Sequence, residues 1–107
     1  MEQNVERRQS QRFPMARQVQ FRSRSARSAL LGSGTTVNMS RRGVLFISDQ
    51  SLPEGEPVTV EVGWPVLLDD AVPLKLVTRG RVVWCGNSHT AVRFDEWEFR
   101  TRVLPRH

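Results

Sequence analysis

Residues 72–84, VPLKLVTRGRVVW, form a long stretch in which apolar residues recur at every second position. That period is typical of a β-strand, so the stretch predicts one long strand with a single apolar face. Gly80 in its middle predicts a bulge or a bend. The fold then depends on whether the rest of the chain alternates in the same way. The residues predicted on the apolar face are Leu74, Leu76, Val82 and Trp84.

Two shorter segments show the same alternation. Val19 and Phe21 share one face of residues 18–22, and residues 57–62, PVTVEV, place a valine at every second position. Short strands at regular spacing with turns between them predict an all-β barrel or sandwich with little helix. The other predicted elements are a hairpin around Gly32–Gly34, strands at 35–40 and 43–48 joined by a turn at 40–43, a tight connection at 86–88 before a strand at 89–94, and a short helix or extended tail at the C-terminus.

Composition and charge limit the possible classes of protein. With 107 residues, 38% of them hydrophobic and 25% charged, the chain is expected to form one globular domain. Its net charge is +5, and all but one of its sixteen basic residues are arginine. Codon usage explains most of that bias, so only the placement of individual arginines is informative. No apolar run resembles a secretory signal or a membrane span, so we expect a cytoplasmic protein without membrane insertion.

The residues that could support catalysis lack acidic, basic or nucleophilic partners at the sequence spacings typical of catalytic sites. Neither His89 nor His107 has a carboxylate or cysteine at a spacing typical of a catalytic pair, and adjacent carboxylates such as Asp69 and Asp70 point apart on an extended chain. The single cysteine, Cys85, excludes an intrachain disulfide and a cysteine-based metal site, and is expected to be a packing residue. The sequence therefore predicts neither a catalytic nor a metal site.

The aromatic residues give little support to base stacking. Most lie within apolar alternation and are expected in the core, whereas Trp64 follows a strand and is ambiguous. Without an exposed aromatic platform, single-stranded nucleic acid would lose a stacking contribution of ~1–3 kcal/mol per base. The aromatic residues expected in the core are Phe21, Phe46, Trp84 and Phe94.

Two arginine-bearing stretches remain, ERRQSQRFP at 6–14 and NMSRRG at 38–43. Alone, the first is usually a solvated charge run, and the second is usually a turn in which Gly43 supplies a positive φ. Together they contain R-x-x-x-R, at Arg8 and Arg12, and N-x-S-x-x-G, at 38–43. This pair of motifs resembles the signature of the PilZ domain, the bacterial receptor module for cyclic di-GMP.

The resemblance extends beyond the motifs over roughly residues 7 to 97. Four further segments resemble that family. They are RFP at 12–14, the strand that follows the second motif, RGRVVW at 79–84 and the closing AVRF at 91–94. It implies a six-stranded antiparallel β-barrel whose arginine-bearing arm folds over one face. We therefore expect a flexible arm at 1–13, a PilZ-like barrel at 14–97 and a C-terminal tail at 98–107.

The resemblance also implies a ligand site. Arginine pairs bidentately with guanine and bridges phosphate, so Arg8 and Arg12 are expected to serve one base and one phosphate. Asn38 can hydrogen-bond a second guanine edge, the Ser40 hydroxyl can hold phosphate, and Gly43 can allow close approach of the backbone. Arg7, beside the first motif, and Arg42, inside the second, are expected to add positive charge at the site.

The expected function is a receptor or adaptor that binds cyclic di-GMP, closes its arm on the ligand and signals to an unidentified bacterial effector protein. No cofactor is expected besides this ligand, and no enzymatic activity. One alternative is a PilZ-like barrel that acts mainly in protein interaction. The other is a small basic barrel that binds nucleic acid by charge alone, although we expect no nucleic-acid partner.

Overall fold

The computed structural model describes residues 13–14, 16–25, 30–48 and 50–102. Seven strands and no helix lie in this part of the chain. It therefore contains no helix with the length and apolar character needed to cross a bilayer. The strands are β1 (Phe13–Pro14), β2 (Gln18–Ser23), β3 (Leu31–Met39), β4 (Gly43–Ile47), β5 (Pro57–Gly63), β6 (Leu74–Gly86) and β7 (His89–Thr101).

Strands β2 to β7 form a closed antiparallel barrel. Their order around the barrel is β3-β2-β5-β6-β7-β4, and pairing of β3 with β4 closes it. The two-residue β1 pairs with the end of β3, where Phe13 lies opposite Met39. The predicted six-stranded all-β barrel is confirmed.

The core is built from the predicted alternating faces. Val19 and Phe21 of β2 are buried, and so are the three alternating valines of β5. The Phe21 ring packs at 5.4 Å between centroids against the ring of Phe46, which is fully buried on β4. Complete burial of one such side chain contributes about 1.5–3 kcal/mol relative to exposure, so these faces supply most of the driving force for folding.

The hairpin between β6 and β7 has the predicted tight connection. Asn87 and Ser88 both have positive φ, 52° and 66°, which is the geometry of a two-residue type I′ turn. Beyond it, β7 continues to Thr101 and crosses the expected barrel boundary at residue 97. The extended alternative for the C-terminal segment is therefore the correct one, and residues 95–101 form no helix.

The predicted irregularity at Gly80 is confirmed. The register of β6 against β7 shifts between Arg79 and Gly80, as at a β-bulge. A Cβ atom on Gly80 would lie 1.9 Å from the carbonyl oxygen of Arg93. Only a residue without a side chain allows the two strands to come this close.

Trp84 does not lie in the core, so that expectation is wrong. A second register shift leaves Val83 as an extra residue between the pairs Val82–Val92 and Trp84–Ala91. This extra residue reverses the inside–outside order of the strand. Trp84 therefore faces outward and is 46% exposed, while Cys85 faces inward and packs against the core.

The predicted hairpin at Gly32–Gly34 is also wrong, because both glycines lie inside β3. The hairpin lies between Ser23, whose N–H donates to the Leu30 carbonyl oxygen at 2.9 Å, and the start of β3. A Cβ atom on Gly34 would lie 2.0 Å from the carbonyl oxygen of Ile47. Glycine therefore serves close approach of β3 and β4 at this position, where the sequence suggested a turn.

We expect Gly80→Ala to lower the free energy of unfolding by about 1–3 kcal/mol, because the new methyl group must displace the backbone of β7. Gly63→Ala is a matched control, because the nearest atoms beyond its chain neighbours, in the side chains of Arg17 and Arg102, lie 3.8 Å from the position of its Cβ. Urea unfolding of both variants measures the difference. Equal midpoints for the two variants would contradict a close-approach role for Gly80.

Candidate site at the turn between β3 and β4

The turn between β3 and β4 is held by Ser40. Its backbone N–H donates to the Gly43 carbonyl oxygen at 2.9 Å, and its side-chain Oγ accepts from the N–H of Arg42 at 3.1 Å. Ser40 is buried, whereas Arg41 and Arg42 are exposed. Because the oxygen already accepts one bond, the Ser40 hydroxyl keeps its proton for donation.

Gly43 fits this turn for a reason other than the one expected from the sequence. The described glycine with positive φ is Gly55, at 85°, so Gly43 does not supply a left-handed conformation. A Cβ atom on Gly43 would lie 2.3 Å from the carbonyl oxygen of Val92 on β7. The close approach that Gly43 allows is thus to a neighbouring strand, and it fixes the turn against the barrel.

Asn38 is the second-to-last residue of β3, and it lies beside a register shift in the pairing of β3 with β4. Its backbone faces Pro14 of β1 on one side and Leu45 of β4 on the other, after a register shift between Thr36 and Asn38. Its side chain is partly buried. The bulge therefore fixes where Asn38 lies relative to both neighbouring strands.

The structure brings four of the predicted site residues into one turn: Asn38, Ser40, Arg42 and Gly43. Arg7, Arg8 and Arg12 lie outside the described residues. Arg12 immediately precedes Phe13 in the sequence, and Phe13 lies opposite Met39 of the strand that carries the second motif. The chain therefore enters the barrel beside this turn.

An exposed tryptophan lies on the outer surface of the barrel, on the side away from Asn38. Asn38, Leu45 and Ala91 follow one another across β3, β4 and β7, and Trp84 on β6 completes the row. Because β3 and β6 are three strands apart in a closed barrel of six, Trp84 and Asn38 face opposite directions. The sequence did not reveal this platform, because the bulge that turns Trp84 outward depends on pairing with β7.

In the described part of the chain, no carboxylate pairs with the positive charge around the turn. The ion pairs among these residues are Lys75–Glu61, Arg79–Glu96 and Arg100–Glu98. None of them involves Arg41 or Arg42 of the turn. Arg93, which lies opposite Gly43, and its pairing partner Arg81 form no ion pair in this part of the chain either. The surface is suited to an anion.

A second aromatic surface lies at the barrel end beside the turn. Trp97 and Phe99 of β7 are 51% and 44% exposed, and the Phe99 ring lies edge-on to Trp64 at 4.9 Å. A cavity of about 230 Å³ lies between these rings and Met39, Ser40 and Arg41. The absence of an exposed aromatic platform, expected from the sequence, is therefore wrong.

The described residues offer little catalytic geometry. His89 contacts the Asn87 carbonyl oxygen through Nδ1 at 2.8 Å, and Cys85 Sγ lies 3.5 Å from the Thr90 hydroxyl. No group of three His, Cys, Asp or Glu side chains in the described part is arranged to hold a metal ion. Asp69 and Asp70 are exposed in a loop.

Comparison with known proteins gives two matches of different kinds. The sequence model of the PilZ domain matches residues 6–104. Among solved structures, the crystal structure of the PilZ domain of CeSA from a cellulose-synthesizing bacterium has a TM-score of 0.60 and 20% sequence identity. That alignment covers 81% of this chain and 82% of the other, and it supports the fold. No curated protein matches the chain.

Ser40→Ala and Ser48→Ala should each lower the free energy of unfolding by about 1 kcal/mol. Both serines are buried, and each Oγ accepts the N–H two residues later, at 3.1 Å for Ser40 and 3.0 Å for Ser48. Chemical denaturation measures both losses. A Ser40 variant as stable as the parent protein would show that this hydroxyl does not hold the turn.

Proposed function

The chain belongs to the PilZ domain family, whose members are receptors for cyclic di-GMP, and we propose that it binds this ligand at the turn between β3 and β4. The observation that carries the proposal is the family match itself, because residues 6–104 include both arginine motif positions and the whole turn. The geometry of the described half of the site supports the proposal.

The chemistry of cyclic di-GMP fits the surface around the turn. The ligand carries two phosphodiester charges and two guanines, so it needs cations, hydrogen-bond donors and a stacking surface. Arg41 and Arg42 are free of carboxylate partners in the described part, and the Ser40 hydroxyl can donate to phosphate. The guanidinium planes of these arginines also offer faces on which a guanine can stack.

The arginines of the first motif complete the proposed site. One of Arg8 and Arg12 binds the edge or face of a guanine, and the other binds a phosphate. Arg7 adds positive charge beside them. Asn38 reads the second guanine. Because Arg12 directly precedes the strand that pairs with Met39, the arm of residues 1–13 needs only to fold back over the turn to close on the ligand.

The output of the proposed receptor is a change in the arm that an effector protein reads in the bacterial cytoplasm. The protein is proposed to act by binding alone, without catalysis. The alternative that the barrel works mainly in protein interaction predicts no ligand-dependent change. The nucleic-acid alternative predicts binding that is indifferent to base identity and that weakens steeply with salt.

Calorimetric titration with cyclic di-GMP tests the proposal directly. We expect cyclic di-GMP to bind at least ten-fold more tightly than cyclic di-AMP, a difference of ~1.4 kcal/mol. The reason is that arginine donates two hydrogen bonds to the O6 and N7 acceptors of guanine, whereas adenine carries an amino donor in place of O6. Equal affinities in a competition titration would remove the guanine-reading role, and no heat with either dinucleotide would remove the receptor assignment.

Arg12→Ala should weaken binding by more than ~1.5 kcal/mol, the scale of a charge-assisted hydrogen bond. Arg79→Ala is the matched control, because it removes the same charge from an exposed residue that pairs with Glu96 on β6–β7. Titration at physiological salt compares the two. Equal losses would indicate a diffuse basic surface.

Hydrogen exchange of the same two variants tests closure of the arm. Saturating ligand should slow exchange of residues 1–13 in the parent protein and in Arg79→Ala, and should slow it much less in Arg12→Ala. Binding without any change in exchange of the arm would leave the ligand site in place and remove the clasp.

A further inference from the structure

The C-terminal half of β7 has an open edge. Pairing of β4 with β7 begins at Gly43 opposite Arg93, and the last hydrogen bond on that side runs from the Phe94 N–H to the Arg42 carbonyl oxygen at 2.7 Å. From 95 to 101, β7 pairs with β6 alone in the part of the chain that the structure describes. Seven residues of strand thus present one edge without a described partner.

The register shows which backbone groups point to that edge. The Arg102 N–H donates to the Pro73 carbonyl oxygen at 2.8 Å, toward the β6 side. Hydrogen-bonding direction alternates along an antiparallel strand, so the N–H and C=O groups of Trp97, Phe99 and Thr101 point to the open edge. These three residues can accept another strand.

An apolar strip lies on one face of this edge. The Trp97 and Phe99 rings are 5.8 Å apart in an edge-to-face arrangement, and both are about half exposed. With Trp64 they line one side of the cavity of about 230 Å³. Contiguous exposed aromatic surface of this kind usually marks an interaction site.

The opposite face carries charges whose order is informative. Along the strand they read Glu96, Glu98, Arg100 and Arg102, two acids followed by two bases. A segment with this order is complementary to itself when reversed. An antiparallel copy of the same strand therefore places bases opposite acids along the whole segment.

We propose that two copies of this chain pair in antiparallel fashion through residues 96–102, with the two-fold axis at Phe99. In that register Glu98 lies opposite Arg100 of the second copy and Glu96 lies opposite its Arg102. Trp97 lies opposite Thr101, and the two Phe99 rings meet at the axis. All three edge-facing residues of each copy then form hydrogen-bonded pairs, each exchanging two bonds.

Neighbouring registers are less favourable because they oppose like charges, which destabilises cross-strand pairs. An axis at Glu98 places the two Glu98 carboxylates opposite each other. An axis at Trp97 places Glu96 opposite Glu98 twice, and an axis at Arg100 opposes two guanidinium groups. Of these registers, only the axis at Phe99 pairs each of the four charges from Glu96 to Arg102 with an opposite one.

This dimer does not depend on ligand binding, so its test is separate from that of the proposed function. Sedimentation velocity of the full chain over a wide concentration range should show a reversible monomer–dimer equilibrium. Combined Arg100→Glu and Arg102→Glu should weaken dimerisation at least ten-fold, because each glutamate then faces an acid of the second copy. The matched control is Arg22→Glu with Arg81→Glu, the same charge change at exposed residues elsewhere.

Mixing gives the most discriminating result. Combined Glu96→Arg and Glu98→Arg should also be monomeric alone, and mixing the two reversed variants should restore a dimer, now a heterodimer. Failure to recover a dimer on mixing would overturn the proposed pairing. A parent chain that stays monomeric at every concentration would overturn it as well. The edge of β7 would then be covered by another part of the chain or by another protein.

Cross-linking fixes the register. In a Cys85→Ser background, Phe99→Cys places two thiols on strands whose Cα atoms are about 5.5 Å apart, within disulfide range. Trp97→Cys is the control, because the two copies of residue 97 are four strand residues apart, about 14 Å, in this register. Oxidation should cross-link the first variant alone, and efficient cross-linking through residue 97 would overturn the axis at Phe99.

Discussion

The barrel depends on close approach of backbone between successive strands at three glycines. Gly34, Gly43 and Gly80 each face a carbonyl oxygen of the next strand, at Ile47, Val92 and Arg93, where a Cβ atom would lie 2.0, 2.3 and 1.9 Å away. The three contacts join β3 to β4, β4 to β7 and β7 to β6. Small barrels need such points of tight coiling, because regular pleated strands with side chains do not curl enough to close.

This constraint explains why the candidate site is rigid on one side. Gly43 is part of the N-x-S-x-x-G motif and also one of the three closure points, so the turn that carries Ser40 and Arg42 is attached to β7. A binding site built on such a scaffold holds its polar groups in place before the ligand arrives. The proposed arginine contacts come from a different source, the segment that precedes β1.

The sequence predicted those features that depend on local alternation. The apolar faces of β2 and β5, the turn at 40–43 and the irregularity at Gly80 follow from residues that are adjacent in the chain. The family resemblance added the proposed location of the ligand site, which alternation alone could not provide. Its described half is a single turn, so short-range order in the sequence was sufficient to bring those residues together.

The errors have one physical origin. Whether Trp84 faces inward depends on the extra residue Val83, and that bulge exists only because β7 pairs with β6 on both sides of it. Whether Gly34 forms a turn or a strand depends on β4, which lies opposite it. The sequence alone does not show whether a glycine forms a turn or allows close approach within a strand, because the partner strand decides between the two.

The arrangement of charge distinguishes two neighbouring surfaces, the open edge of β7 and the turn between β3 and β4. Acids and bases are paired along β6 and β7, where Arg79 contacts Glu96 and Arg100 contacts Glu98, while the arginines of the turn have no described carboxylate partner. The first pattern suits a strand of the same chain, and the second suits an anion. Ser40 and Arg41 line both the turn and the aromatic cavity. The fixed turn is therefore a shared wall of the two surfaces: its arginines face an anion on one side, and Ser40 and Arg41 border the aromatic rings of β7 on the other.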